Sequence, residues 1–450
     1  MRRPPAAPAS LGLLALLALA SPLAAQAGDG GIGELSPEQK LARRVTPEVL
    51  VVREATPAVV YIQTDTQRLV RDWWGVRPRQ GRSSGSGVVL TSDGFVVTNF
   101  HVVKDAKDIR ISFEKSIDDQ VYAADLLSYV PEEDLALLKI RNPEGKRFGH
   151  LEMGNSSDLM IGERVLAIGN PYGHTHTVST GIISGLHRGL EIADPQTNLR
   201  FDFDDLIQTD ASINPGNSGG PLLNINGDLI GINNAVNSAA ENIGFAIPIN
   251  RVQEVLSQQL ISPDRYNAWL GFETDDDNSR EVVVQRVLPG SPAATAGLRT
   301  GDQIVGLDQD ALEEPSEYRM SRLALRPGQV VNLRVAREGR NLSLPMQAWD
   351  KTDGLIYERM GIRVRRVAIG GRRYLSIDEV LPGGSAEQIG LRVDDLITAM
   401  RPGGGGLSRG WTFDNRLLLA QFIDRLAAGT ELDIEIRREG DLYRGSLILD

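Results

Sequence analysis

The four residues Val287-Leu288-Pro289-Gly290 return as Val380-Leu381-Pro382-Gly383, and Gly297-Leu298-Arg299 returns as Gly390-Leu391-Arg392, both at an offset of 93. A repeat this long means two domains rather than a solenoid, so the C-terminal half must fold as two similar modules in series. Later the offset grows: Pro327-Gly328 matches Ala428-Gly429 at 101, so the second copy is longer by 101 − 93 = 8 residues. Gly403 to Gly406 are the obvious insert, expected as a flexible loop. Where the first copy has Gly301-Asp302 the second has Asp394-Asp395, and aspartate tolerates a left-handed turn better than most residues.

With 450 residues the chain has room for roughly three domains, so a third unit precedes the repeat. Short apolar runs alternate with turn signals from Gly85 to Ile140, which predicts an antiparallel barrel or sandwich. Ala58 to Ile62 is a β-branched strand; Gly87 to Leu90 and Phe95 to Thr98 are strands joined by the turn Ser92-Asp93-Gly94. Between Thr64 and Ser84 the chain is polar and arginine-rich without a period, and predicts a long mobile loop. Trp73 and Trp74 in that loop mark either a contact surface or local packing. Ser36 followed by Pro37 and Gln39 is a helix start, and Thr46-Pro47-Glu48 is another. Pro248 to Leu260 carries one apolar helical face, Val252, Val255, Leu256 and Leu260, before Ser262-Pro263-Asp264 breaks it.

The first 27 residues read as an address. Arg2 and Arg3 precede the apolar run Leu11 to Ala20, and Ala25-Gln26-Ala27 supplies the small residues of a secretory cleavage site. That run is shorter than the roughly 20 apolar residues of a membrane span, and an uncleaved anchor is the other reading. The chain has no cysteine, which excludes disulfides, thiolate metal sites and lipid attachment through cysteine. A formal net charge of −11 argues against nucleic acid or an anionic membrane surface as the main partner.

One stretch carries chemistry. Asp210 to Leu222 reads D-A-S-I-N-P-G-N-S-G-G-P-L, with Ser218 between Gly216 and Gly219-Gly220. Glycines let a backbone turn sharply, aim two N–H groups at one point and leave a carbonyl room to approach, although the same residues also make an ordinary turn. His101, in T-N-F-H-V-V, follows a strand; Asp134 heads the run D-L-A-L-L-K-I. A lone histidine and a lone acid in such places are usually structural. The order His101, Asp134, Ser218 is, however, that of chymotrypsin-type proteases rather than subtilisins or α/β-hydrolases.

T-N-F-H-V-V, D-L-A-L-L-K-I, L-A-I-G-N-P (Leu166 to Pro171) and D-A-S-I-N-P-G-N-S-G-G-P resemble the HtrA/Deg family of trypsin-like serine proteases, from about Val45 to Ile261 and on into the repeat. The resemblance implies a mainly β fold, a chymotrypsin-like double β-barrel followed by two α+β PDZ domains. The expected boundaries are a signal peptide at 1–27, an N-terminal segment at 28–45, the protease domain at 46–262, and PDZ domains at 265–349 and 355–450. It implies Ser218 as nucleophile, His101 as general base, Asp134 as its orienting acid, and the N–H groups of Gly216 and Ser218 as an oxyanion hole. No cofactor or metal is expected; His174 and His176 read as loop histidines.

Ser212 stands six residues before Ser218, where a trypsin carries an acid, so a basic side chain is not expected in the primary pocket. Ser212, Ile213, Asn234 and Ala235 are the expected walls and suit a small or medium aliphatic residue. Gly185 to Asp205 is longer than a hairpin needs, and in relatives such loops switch the oxyanion segment. Leu270-Gly271-Phe272 and Met360-Gly361-Ile362 are the expected carboxylate-binding loops, at which a peptide adds to a strand edge. The expected partners are unfolded polypeptides, C-terminal peptides and copies of the chain in a trimer or multiples of it, and the expected home is the periplasm. The competing reading is a PDZ-based peptide-binding chaperone with little proteolysis.

Overall fold

The computed structural model describes residues 36–450 apart from 73–74, 143, 171–176, 195–198, 215, 235–242, 276–280, 313 and 404–409. The expected signal peptide, Trp73 and Trp74, Pro171, His174, His176, Ala235 and most of the glycine insert therefore lie outside the described residues. Residues Met1–Thr46 form one unit and Pro47–Asp450 another. In the first, α1 (Pro37–Ala42) begins with a capping box: Gln39 N donates to Ser36 Oγ at 3.1 Å, and Ser36 N donates to Gln39 Oε1 at 3.0 Å.

The second unit starts with α2 (Pro47–Ala55) and two closed six-stranded antiparallel barrels. The first barrel holds β1 (Val59–Asp72), β2 (Gly75–Val89), β3 (Phe95–Asn99), β4 (Ala106–Ser112), β5 (Val121–Val130) and β6 (Leu135–Ile140), with the one-turn helix α3 (Phe100–Val103) after β3. The second holds β7 (Arg164–Gly169), β8 (Thr177–Gly185), β11 (Ile207–Thr209), β12 (Pro221–Asn224), β13 (Leu229–Asn234) and β14 (Gly244–Pro248); β9 (Leu190–Asp194) and β10 (Leu199–Phe203) pair outside it. Helix α4 (Ile249–Val255) runs on through a wider turn, Leu256–Leu260, and buries Val252, Val255, Leu256 and Leu260 as its apolar face predicts. Between the barrels Val97, Leu135 and Leu137 of one meet Leu166, Leu223 and Ile232 of the other in one buried cluster.

One expectation is corrected. Thr64 to Ser84 is no loop: β1 and β2 pair continuously from Val59↔Val88 to Asp72↔Gly75. Main-chain pairing holds this ribbon, and such pairing leaves no mark on the side-chain period from which a strand is read.

Beyond the barrels lie β15 (Ala268–Trp269), β16 (Phe272–Asp275), β17 (Val282–Val287), α5 (Pro292–Thr295), β18 (Gln303–Leu307), β19 (Asp310–Ala311), α6 (Pro315–Ala324), β20 (Val330–Arg337), β21 (Arg340–Gln347) and β22 (Trp349–Asp350). Then follow α7 (Lys351–Met360), β23 (Ile362–Ile369), β24 (Arg372–Val380), α8 (Ser385–Gln388), β25 (Leu396–Pro402), α9 (Arg416–Asp424), β26 (Glu431–Arg438) and β27 (Asp441–Ile448). The two modules repeat one sheet, β16-β17-β18-β20-β21 and β23-β24-β25-β26-β27, so β16 and β23 are both edge strands.

The repeat extends to a buried ion pair. Arg337 Nε and Nη2 each donate at 2.6 Å to the two oxygens of Asp302, whose carboxylate also accepts from Arg299 N–H at 2.9 Å. Arg438, Asp395 and Arg392 repeat the arrangement at 2.7, 2.7 and 2.8 Å. Burial pushes the Asp302 carboxyl up, but the Arg337 guanidinium more than offsets it and leaves the group below the ordinary aspartate range. Asp394 takes φ of 69° where Gly301 has 87°, the left-handed turn that the sequence substitution permits.

The first module is packed onto the barrels. Met320 and Leu323 of α6 enter the inter-barrel cluster, and Arg147 pairs with Asp310 at 2.7 Å. The second module is tied to the first through α7. Trp269 stacks on Trp349 with centroids 5.3 Å apart, Tyr357 lies edge-on to both, and Tyr357 Oη donates to Pro289 O at 3.2 Å. Gly354 is what lets α7 approach: a Cβ there would sit 2.2 Å from the Trp269 ring. Glycine to alanine inside a helix normally stabilises by about 1 kcal/mol. Gly354→Ala is expected to destabilise instead, by about 1–3 kcal/mol, because a ring held in a three-aromatic cluster has to move. Thermal melting decides the sign, and a raised Tm would contradict this packing.

Candidate active site

Two strands and two turns converge where the barrels meet. Asp134 is fully buried with φ of 49°, a left-handed backbone that a non-glycine residue keeps only under constraint. The constraint comes from T-N-F-H. Asn99 Nδ2 and Phe100 N donate to the Asp134 carbonyl at 3.1 and 3.0 Å, while His101 N donates to Asp134 Oδ1 at 2.9 Å. The His101 ring follows: its Nδ1 lies 2.7 Å from Asp134 Oδ2. A carboxylate accepts only, so Nδ1 carries the proton and Nε2 is left as the basic nitrogen. From the other side Arg251 of α4 forks onto Glu133, Nε to Oε2 at 3.1 Å, and steadies the turn that ends at Asp134.

The Ser218 turn is held across the seam. Ser86, in β2, donates its N–H to Ser218 O at 2.8 Å and its hydroxyl to Gly216 O at 2.5 Å, and accepts from Asn170 N–H at 2.8 Å. From the second barrel Gly219 N donates to Asn233 O and Asn233 N donates back to Gly220 O, both at 2.9 Å. Gly219 has φ of 83°, and a Cβ there would lie 2.2 Å from Ser86 O and 2.3 Å from Thr98 Oγ1. The serine turn is therefore pressed against the strand end that leads into His101. Gly216 has φ of 113°, and its N–H donates to no acceptor among the described residues.

The expected pocket residues divide. Ser212 is exposed, and its carbonyl accepts from Ser179 Oγ at 2.8 Å. Ile213 lies over Gly244, where a Cβ would come 2.5 Å from Ile213 Cγ1. Asn234 turns its amide onto the aspartate: Nδ2 donates to Asp134 Oδ2 at 3.2 Å from a fully enclosed position at the end of β13. Sequence reasoning also passed over Ser86, although a serine between Gly85 and Gly87 in a strand is a signal of close backbone approach. Among the described residues no group of three metal-ligating side chains occurs.

Residues 85–232 match the trypsin-like peptidase domain family and residues 268–347 the PDZ domain family. A DegP-like periplasmic serine endoprotease of Chlamydia trachomatis is 35% identical over 378 residues, which cover 79% of this chain and 70% of that protein. The chain belongs to the HtrA/Deg family of serine endoproteases. The periplasmic pH-dependent serine endoprotease DegQ of Escherichia coli is also 35% identical, over 70% of this chain and 71% of its own. A solved structure of the HtrA-type protease AlgW with a decapeptide is 32% identical and covers 68% of this chain and 99% of that one, with a TM-score of 0.40.

In this HtrA/Deg chain both expected peptide loops carry their glycine in the left-handed region. Gly271 (φ 81°) accepts at its carbonyl from Leu288 N at 2.9 Å and Ser291 Oγ at 3.1 Å; Gly361 (φ 66°) accepts from Leu381 N at 2.7 Å. Leu270, Met360 and Ile362 are fully buried, and Phe272 is half-buried.

Asn234→Ala removes one of three donors to a buried carboxylate, a loss of about 1.5–3 kcal/mol where the acceptor is charged. The expected outcome on a peptide substrate is a fall in kcat of about tenfold or more with KM nearly unchanged. A lower Tm with unaltered kcat would reduce the amide to a structural role.

Proposed function

We propose that the chain is an exported endopeptidase that degrades unfolded or damaged proteins through an acyl-enzyme on Ser218. His101, its Nδ1 proton held by Asp134, takes the serine proton as the hydroxyl attacks the scissile carbonyl and later returns it to the leaving amine. The Gly216 and Ser218 N–H groups receive the oxyanion; losing one such donor elsewhere costs about 100- to 1,000-fold in kcat. The observation that carries this reading is the double grip of His101 N and Nδ1 on a buried Asp134. Ser212 and Ile213 favour a small or medium aliphatic side chain before the cut, since neither carries a charge to meet a basic one. The names of the relatives and residues 1–27 support a periplasmic home, and the family supports a trimer or multiples of it. The β9–β10 hairpin buries Phe201 and Phe203 in the cluster that holds Met320 and Leu323, a route by which the first PDZ module would bias the oxyanion segment.

The two PDZ modules take different parts in this reading. The edge of β16 is the place for a peptide to add. In the second module α7 lies along both α9 and β23 and fills that place itself. Ile356 and Met360 are fully enclosed among Ile362, Val364, Leu419 and Ile423, and Arg416 Nη1 pairs with Asp353 Oδ2 at 2.5 Å. The first module then receives peptide, while the second braces it.

Casein digestion by the wild type and by Ser218→Ala tests the chemistry: the variant should be inactive, and equal digestion would sink the nucleophile assignment. Calorimetric titration of Ser218→Ala with a C-terminal peptide tests the division of labour. One peptide per chain is expected, and two would show the second groove open.

A further inference from the structure

We propose that Ser86 is a positioning residue for catalysis: its hydroxyl, by holding the Gly216 carbonyl, keeps the Gly216 N–H aimed at the oxyanion. The inference deepens the reading that the Gly216 and Ser218 N–H groups receive the oxyanion, and rests on it.

The N–H and C=O of one residue belong to two different peptide planes, joined only by the soft dihedrals at its α-carbon. At Gly216 those dihedrals need outside support, because glycine enters positive φ about as readily as negative and nothing intrinsic selects the 113° found here. The plane that follows Gly216 is gripped at both ends: Gly216 O accepts from the Ser86 hydroxyl at 2.5 Å, and Asn217 N donates to Asn214 O at 2.9 Å. Farther along, Asn217 O accepts from Gly220 N at 2.9 Å and Ser218 O from Ser86 N at 2.8 Å. Of these four bonds only the first is made by a side chain. The other three are main-chain bonds, so the Gly216 carbonyl is the point at which a side chain controls the turn.

A serine hydroxyl accepts and donates at once. Ser86 Oγ accepts from Asn170 N–H at 2.8 Å, which commits its own hydrogen to Gly216 O. Asn170 follows β7, whose end lies against the same turn: a Cβ at Gly169 would come 2.3 Å from Asn217 Oδ1. On β2 the neighbours of Ser86 have no room for side chains. A Cβ at Gly85 would meet Val102 Cγ2 at 2.6 Å, and one at Gly87 would meet Val96 Cγ1 at 2.7 Å. Ser86 and Asn170 are both fully enclosed. Without the hydroxyl, Asn170 N–H and Gly216 O would be left buried and unpaired, and rotation about Gly216 is the motion that relieves the carbonyl while misdirecting the N–H.

The test compares the full-length wild type with Ser86→Ala and Ser86→Cys, each checked by thermal melting. A misplacement of about 1 Å at a reacting centre costs about 100-fold. Ser86→Ala is expected to lower kcat on a peptide substrate by about tenfold to 100-fold with KM nearly unchanged. It should weaken a peptide boronate, whose tetrahedral adduct on Ser218 places an oxygen in the hole, by a similar factor. The acid limb of the kcat/KM profile, set by His101, should keep its midpoint, because the hold of Asp134 on the ring is untouched. Ser86→Cys, nearly the same shape but a weaker donor, keeps the seam filled and should lose about threefold or more in both quantities. Wild-type kcat and boronate affinity in either folded variant overturn the inference. So does a loss of kcat that comes with a shifted His101 midpoint and an unchanged boronate affinity, which would place the defect in the triad. Boronate binding that is equal in wild type and variants removes this inference alone; no boronate binding by the wild type removes the oxyanion reading beneath it.

Discussion

A buried carboxylate at the seam of two barrels is the constraint that organises the catalytic half. Asp134 is enclosed completely, and an unpaired ion there would destabilise the fold by several kcal/mol. Three donors answer it: the backbone and ring of His101, and the amide of Asn234. Two come from the first barrel and one from the second. The barrels must therefore close on each other for the charge to be satisfied, and the inter-barrel cluster of Val97, Leu137, Leu166 and Ile232 supplies the apolar drive for that closure.

The same closure sets the serine turn. Ser86 reaches across with its N–H and hydroxyl, and Asn233 returns the contact from the other barrel through two main-chain bonds. Gly219 is the residue at which both demands meet, because its left-handed backbone and missing Cβ admit Ser86 and Thr98 at once. Packing and chemistry share these atoms.

Much of this was legible in the sequence, for identifiable reasons. The repeat revealed two modules because the turn V-L-P-G and the following G-L-R are dictated locally, and the shift from 93 to 101 foretold which residues would align. The helix start at Ser36 was readable because a capping box is short-range chemistry. The β1–β2 ribbon was not, since pairing between strands does not appear in the composition of either. The bond from the Asn234 amide to Asp134 was not legible either, since the two residues lie 100 apart in sequence.

The packing of α6 into the barrel core has a geometric corollary. Met320 and Leu323 lie in the inter-barrel cluster, so the first module shares an apolar core with the protease domain. Displacing α6 would expose apolar side chains of both domains to water at once. The seam between the barrels is thus also the joint between protease domain and first module, and a helix that the barrel fold itself does not contain completes its apolar face.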